Sequence, residues 1–499
     1  MTLAEARATL ASLEEALHAY RHAMGVLNID GETAAPKRSS AGRGQTLAVL
    51  GGVVHEKLTA PSTRECIDAL YAHRSGLTAA ELRRAELLKE QSDELALVPV
   101  GEYMAYQRLL EEAGDVWHDA KRASDFPAFA PYLEKIVDYN RRLAARKDAS
   151  KPAYDVLLDL YEKGASAATL DPFFAMLRSE LTPLILAVGE KPRPDASFLA
   201  GSFPVDRQRA FTDRVMALMG IDREDCAVAE SEHPFTDGFN NHDVRITTHY
   251  YEDAVLSSLY SVIHEGGHAI YELGVAEALQ GTFLAGGSSM GVHESQSRFY
   301  ENYIGRSLPF CRALLPVMAD CFPGRLEGVT PEMLYRAVNA AGPGLIRIEA
   351  DELTYAMHVM VRYELEKALI GGDLKAADVP GEWNAMYKKY LGVDVPDDRR
   401  GALQDSHWSG GAIGYFPSYA LGSAYGAQML AAMERDIDVW GPVAAGDLSP
   451  VTAWLREKIH RHGQLLTPAR LVENACGGPF DPSYYVAYLK DKYTALYDL

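Results

Sequence analysis

Ile263–Ile270 reads IHEGGHAI, two histidines one helical turn apart with a glutamate between them. Residues four apart are neighbours on one face of a helix, so His264 and His268 can turn both imidazoles toward one cation. Glu265 sits about 100° round the helix from His264, close enough to hydrogen-bond a metal-bound water without ligating the metal itself. A zinc ion with three protein ligands and an open fourth position lowers the pKa of its water to about 7, and an adjacent carboxylate can take the proton. The spacing therefore describes a zinc hydrolase on a helical scaffold. A chance match on a buried helix is the bland alternative, and a third ligand decides between them. One arrangement demands glycine three and histidine six residues after the second histidine, but Tyr271 and Gly274 stand there, so it fails. The other takes a glutamate from a second helix further along, and HESQS at 293–297 offers Glu294.

A chain of 499 residues with 47% hydrophobic content can bury a large core, and length alone suggests about two or three domains. With 49 Lys and Arg against 69 Asp and Glu, the formal charge of −20 repels phosphate backbones and anionic lipids, so neither nucleic acid nor a membrane surface is an expected partner. The five cysteines (Cys66, Cys226, Cys311, Cys321, Cys476) are scattered, odd in number and without a CxxC, which fits neither a disulfide framework nor a thiolate metal site. The opening MTLAEARATLASLEEAL lacks the uninterrupted apolar core of a signal peptide, and no run approaches about 18 apolar residues. The expected location is the cytosol.

Outward from the zinc helix, the flanks read as helices. Leu10, Leu13, Leu17 and Met24 predict an amphipathic helix over 3–27, GETAAPKRSSAGRG (31–44) a loop, and 45–58 a second helix whose His55–Glu56 pair is solvated or at the edge of the core. The Ala, Leu, Glu, Lys and Arg content of 78–146, broken at Pro99 and near 124–131, predicts long packed helices with Trp117, Phe126 and Phe129 as core anchors. GEKPRPDAS (189–197) reads as an exposed crossover. HPFTDGFNNHDVRITTHY (233–250) predicts a short β-hairpin beside the zinc helix, along whose edge a peptide could add as a strand; His242 and His249 read as turn histidines. Residues 345–369 read as one long helix with Arg347 near its start, where a cation opposes the helix dipole. That placement suits a carboxylate-binding guanidinium, the plain alternative being a pair with Asp351. QDSHWSGGAIGYFPSYALG (404–422), with Asp405, His407, Trp408, Tyr415 and Tyr419 among its glycines, reads as an active-site wall. IHRHG (459–463) reads as surface.

Taken together, HPF at 233, DVRIT at 243, HEGGH at 264, HESQ at 293, IRIEAD at 346 and LQDSHW at 403 resemble the carboxypeptidase Taq family of zinc metallocarboxypeptidases, in the family's order. The resemblance covers most of the chain and is weakest in the first hundred residues. It implies an all-α, mainly helical fold with a small hairpin beside the active site, the saddle of neurolysin and the angiotensin-converting peptidases. It also implies one peptidase domain over 1–499, in which a helical N-terminal region (1–200) and a catalytic region (201–499) form the two sides of a deep groove, and a homodimer. His264, His268 and Glu294 are then the ligands of one Zn²⁺ per chain, with Co²⁺ or Mn²⁺ as substitutes, and Glu265 is the general base. Arg347, His233, Arg245 and His407 shape the site for the substrate's C-terminal end, and Tyr415 or Tyr419 supports the tetrahedral intermediate. The expected activity is release of single amino acids from peptides with a free C-terminus by zinc-activated water. The competing readings are a zinc oligopeptidase that cuts internally and a non-catalytic peptide-binding helical zinc protein; Glu265 argues against the second.

Overall fold

The computed structural model describes residues 1–499 and consists of twenty α-helices and one small sheet. In chain order the helices are α1 (Leu3–Thr33), α2 (Ser40–Thr59), α3 (Pro61–Ala72), α4 (Ala79–Ala96), α5 (Val100–Ala123), α6 (Phe126–Asp148), α7 (Ala153–Tyr161), α8 (Ala167–Gly189), α9 (Val205–Leu218), α10 (Val255–Gly274) and α11 (Met290–Arg298). There follow α12 (Leu308–Cys321), α13 (Pro331–Val338), α14 (Tyr355–Gly371), α15 (Val379–Leu391), α16 (Pro417–Asp436), α17 (Trp440–Ala444), α18 (Ser449–Lys458), α19 (Pro468–Cys476) and α20 (Ser483–Tyr497). Capping boxes start three of them: Thr2 with Glu5 opens α1, Thr78 with Glu81 opens α4, and Ser166 with Thr169 opens α8.

The amphipathic face of α1 buries Leu10, Leu13 and Leu17 against Ile67 and Leu70 of α3 and Leu87 and Leu88 of α4. This small core of 14 buried residues reaches the rest of the chain through Phe283 and Leu284. The other core gathers 104 buried residues from Ala113 to Tyr497, so residues on both sides of position 200 share it, Trp117, Phe126 and Phe129 among them. One helix, α8, is long and apolar enough to compare with a membrane span. Its Leu170, Phe173, Phe174, Leu177, Leu181, Ile185 and Val188 belong to the large core.

Between α9 and α10 lies a three-stranded sheet of β1 (Cys226–Glu230), β2 (Thr236–Asn240) and β3 (Asp243–Thr248) in the order β1-β3-β2. The expected hairpin is β2–β3, antiparallel with a register shift between Gly238 and Asn240; the hairpin pattern gave no sign of β1, which runs parallel to β3. Val244, Ile246 and Thr248 are buried on one face of β3.

Three local expectations need correction. The loop over 31–44 shrinks to a short break around Pro36, because α1 continues to Thr33 and α2 begins at Ser40, so Gly42 and Gly44 are helical. The long helix over 345–369 is in fact a 3₁₀ turn, Arg347–Glu349, followed by α14 from Tyr355. The Asp351 carboxylate accepts the backbone N–H groups of Gly342 and Thr354 at 3.0 Å each, which holds the intervening segment in turns. Finally, His460 of IHRHG is fully buried, its Nε2 2.8 Å from Gln296 Oε1 and its Cβ in the space beside Gly274.

Candidate metal centre

Helix α10 presents His264 and His268 one turn apart, and α11 presents Glu294 to both. Glu294 Oε2 lies 3.8 Å from His264 Nε2 and 3.6 Å from His268 Nε2, and the three donor atoms fall within 4.8 Å of one another. Metal–ligand lengths of about 2.0–2.1 Å place the donors of a tetrahedral site about 3.3–3.4 Å apart, so two imidazoles and a carboxylate at this spacing fit a divalent cation. Two glycines make it attainable. A Cβ at Gly267 would stand 2.6 Å from the Gln296 carbonyl oxygen, and one at Gly422 of α16 would stand 2.7 Å from Glu294 Cβ and Cγ. Glycine at both positions thus lets three helices close on the glutamate.

The electrostatics favour positive charge between these donors. Burial opposes ionisation of Glu294, but Arg298, with His264 and His268, holds its carboxyl far below the usual range. Burial would lower the His264 imidazole, yet the carboxylates of Glu294 and Glu301 outweigh it and raise its proton affinity. Burial lowers His268, which leaves a lone pair for a cation.

Behind the donors stand partners outside the zinc-helix motif. His264 Nδ1 lies 2.9 Å from Glu301 Oε2, and His268 Nδ1 lies 2.6 Å from His293 Nδ1. Arg298 Nε donates to Glu294 Oε1 (2.7 Å) and its Nη1 to Glu301 Oε2 (3.1 Å). Glu294, Arg298 and Glu301 follow at spacings of four and three on one helical face, a signal present in the sequence. Glu301 lies in the π-helical turn Phe299–Ile304, closed by Gly305 N–H on the Tyr300 carbonyl. Glu265 is buried, and its Oε2 accepts a 2.6 Å hydrogen bond from Thr236 Oγ1 of β2.

The residues expected at the substrate end divide into two sets. Arg347, His407, Tyr415 and Tyr419 come together. Arg347 Nε and Nη2 fork onto Asp405 Oδ1 at 3.0 and 2.9 Å, its Nη1 donates to Tyr355 OH (3.1 Å), and its guanidinium lies 5.2 Å from the Tyr419 ring. Its partner is therefore Asp405, not Asp351. Asp405 Oδ2 takes a second guanidinium, Arg362 Nε, at 2.7 Å. Tyr355 links this wall to the donors, because its ring lies 4.3 Å beneath the Arg298 guanidinium that holds Glu294. His407 Nε2 lies 3.2 Å from Tyr419 OH, and burial, reinforced by Arg347, pushes the imidazole down to about 4. Burial raises the phenols of Tyr415 and Tyr419, and Glu294 contributes to both shifts.

The other set is not brought to this wall. Arg245 is forked onto Asp243 at 2.9 and 3.0 Å. It pairs across the sheet with Asp237, whereas Thr236, which reaches Glu265, pairs with Ile246, so Arg245 occupies the opposite sheet face. His233 is exposed before β2, its carbonyl accepting from Ser231 Oγ (2.6 Å). His242 and His249 are turn histidines, on Asp225 (3.0 Å) and the Ser231 carbonyl (2.9 Å).

Two helix-borne imidazoles, a carboxylate from the next helix and a neighbouring glutamate, within a mainly helical fold, define a metallopeptidase-type centre. The family model for carboxypeptidase Taq (M32) metallopeptidase matches residues 9–493, and the chain belongs to that family. It is 38% identical over 480 residues to carboxypeptidase 1 of Bacillus subtilis, covering 96% of each chain. It is 36% identical over 494 residues to thermostable carboxypeptidase 1 of Thermus thermophilus, again with 96% of each covered. Among solved structures, the M32 carboxypeptidase from Deinococcus radiodurans superimposes with a TM-score of 0.96 at 36% identity, over 99% of this chain and 100% of that one. A Pyrococcus furiosus carboxypeptidase gives 0.94 at 33%, over 98% and 99%.

Proposed function

We propose that this metallopeptidase is a zinc-dependent carboxypeptidase that removes single residues from peptides with a free C-terminus, with His264, His268 and Glu294 as ligands and Glu265 as general base. The observation that carries the reading is a charge imbalance in the wall beside the donors. Arg347 and Arg362 share one carboxylate, Asp405. Burial with the Arg362 charge holds His358 neutral, and His407 is neutral near pH 7. Burial also pushes Glu366 up to about 7, so near pH 7 it is only partly ionised and offsets the guanidinia only in part. The desolvated wall therefore keeps a net positive charge, and a substrate's terminal carboxylate is the complementary group.

A divalent metal held by the three donors supplies Lewis acidity, polarising the scissile carbonyl and acidifying a water. Two imidazoles with one carboxylate suit zinc, with cobalt or manganese as substitutes. Thr236 holds Glu265 Oε2, so Oε1 is free to take the proton of the attacking water and return it to the leaving amine. The oxyanion needs a donor that stays protonated, which the raised phenols provide. Tyr415 or Tyr419 is the donor, the Tyr419 hydroxyl lying 3.2 Å from His407 Nε2.

The test is a mass-spectrometric time course on a free-acid peptide and its C-terminally amidated twin, with chelator-treated and zinc-restored protein. Stepwise loss of single C-terminal residues from the free acid, abolished by chelation, is expected. Internal cleavage of both peptides would replace this reading with an oligopeptidase, and no cleavage by zinc-loaded protein would remove it.

A further inference from the structure

Helix α10 carries a third polar residue in step with its histidines: His264, His268 and Glu272 follow at intervals of four, so Glu272 lies one turn beyond His268. His293 of α11 stands between the last two. Its Nδ1 is 2.6 Å from His268 Nδ1, and its Nε2 is 2.7 Å from Glu272 Oε1. The side chains of His268, His293 and Glu272 are 15%, 24% and 14% exposed, so water competes weakly for these bonds. The loop after Gly286 closes over them. Gly287 N–H donates to Glu272 Oε1 (3.2 Å), and a Cβ at Gly287 would stand 2.5 Å from His293 Cδ2, so glycine leaves the space the imidazole fills.

The proton positions follow from the acceptor at the end of the chain. An imidazole that offers Nε2 to a cation carries its hydrogen on Nδ1, and the atom facing His268 Nδ1 is His293 Nδ1, which must then be the acceptor. The His293 hydrogen is thereby placed on Nε2, where it meets Glu272, and an ionised carboxylate only accepts. His264 receives the same support directly, from Glu301. We infer that His293 and Glu272 together are the counterpart of Glu301: positioning residues that fix the tautomer and ring orientation of His268 and so set the metal affinity. The inference rests on the assignment of His268 as a ligand. Loss of such a partner lowers metal affinity by about 10–100-fold.

The test is the zinc dissociation constant of the apo-protein, measured by competition with a chromogenic chelator, on variants whose helical signal and melting temperature match wild type. Glu272→Ala and His293→Phe should each weaken binding by about 10–100-fold. The double variant should be no weaker than the weaker single one, because the two residues act in series. Glu272→Gln should stay near wild type, since its amide oxygen accepts the same hydrogen. Wild-type affinity in Glu272→Ala overturns the inference. So does an equal loss in Glu272→Gln, which would show that charge and not the hydrogen bond matters, and so do additive losses in the double variant. A wild type that took up no zinc would instead overturn the metal centre, and the relay with it.

Discussion

Arg347→Ala removes one of the two guanidinia that share Asp405, and the geometry determines what should and should not be lost. Asp405 keeps Arg362, whose Nε remains 2.7 Å away, so the variant leaves a balanced buried pair and not an orphaned charge. The fold should hold. What disappears is the surplus positive charge, together with the Nη1 bond to Tyr355. Removing one partner of a desolvated, hydrogen-bonded charge pair costs about 2–5 kcal/mol, or about 30-fold to several thousand-fold in kcat/KM at roughly 1.4 kcal/mol per decade. That loss should fall on free-acid peptides, while the amidated twin, already a poor substrate, should barely change. Lysine should rescue only partially, because a point charge cannot reproduce the fork onto Asp405. Asp405→Ala is the contrasting perturbation: it leaves Arg347 and Arg362 facing each other without a counter-ion and should cost about 3–5 kcal/mol of stability. The assay is kcat/KM on both peptides beside urea midpoints for all three variants. An equal fall on free-acid and amidated substrates, or destabilisation of Arg347→Ala as large as that of Asp405→Ala, would refute the charge argument and leave Arg347 a structural residue.

Glu265→Gln should keep its metal by elemental analysis yet lose at least about 10²–10⁴ in kcat, because the amide cannot accept the proton; near wild-type turnover in metal-replete variant would remove Glu265 as the base. Glu366, fully buried on Tyr154, Trp408 and Gly414, is raised from 4.5 to about 7 by burial. The folded state therefore binds this proton more tightly than the unfolded one, and wild-type stability from this group falls by about 3 kcal/mol as pH rises through 4.5–7. Glu366→Gln cannot ionise, so its stability relative to wild type should improve by about that much between pH 5 and pH 8; parallel urea midpoints at the two pH values would contradict the assignment. Gly422→Ala forces a methyl to 2.7 Å from Glu294 Cβ and Cγ. It should cost about 1–3 kcal/mol and reduce zinc content, and an unchanged melting temperature with full zinc would show that the helices can separate without loss.

What the chain determined by itself is what a helix makes local. His264 and His268 share a face because they are one turn apart, and the amphipathic runs that predict α1 and the packed helices of 78–146 depend on the same period. By that logic Glu301, seven residues after Glu294, and Glu272, four after His268, were also legible, although neither belongs to the zinc-helix motif. Other features depend on residues far apart in the chain, and these only the tertiary structure decided. Arg347 read as a helical cation for a substrate carboxylate, with Asp351 as the plain alternative, but within the fold its partner is Asp405, 58 residues on, and Arg362 reaches the same group across 43 residues. His460, placed on the surface by its polar neighbours, is buried against Gln296, 164 residues away. Arg245 and Thr236 are close in the hairpin, yet strand register sends them to opposite faces, and only Thr236 reaches Glu265. A periodicity records which side of an element is apolar. Which charge meets which depends on how the elements pack, and at this centre that packing is set by glycines whose importance lies in the backbones they let approach.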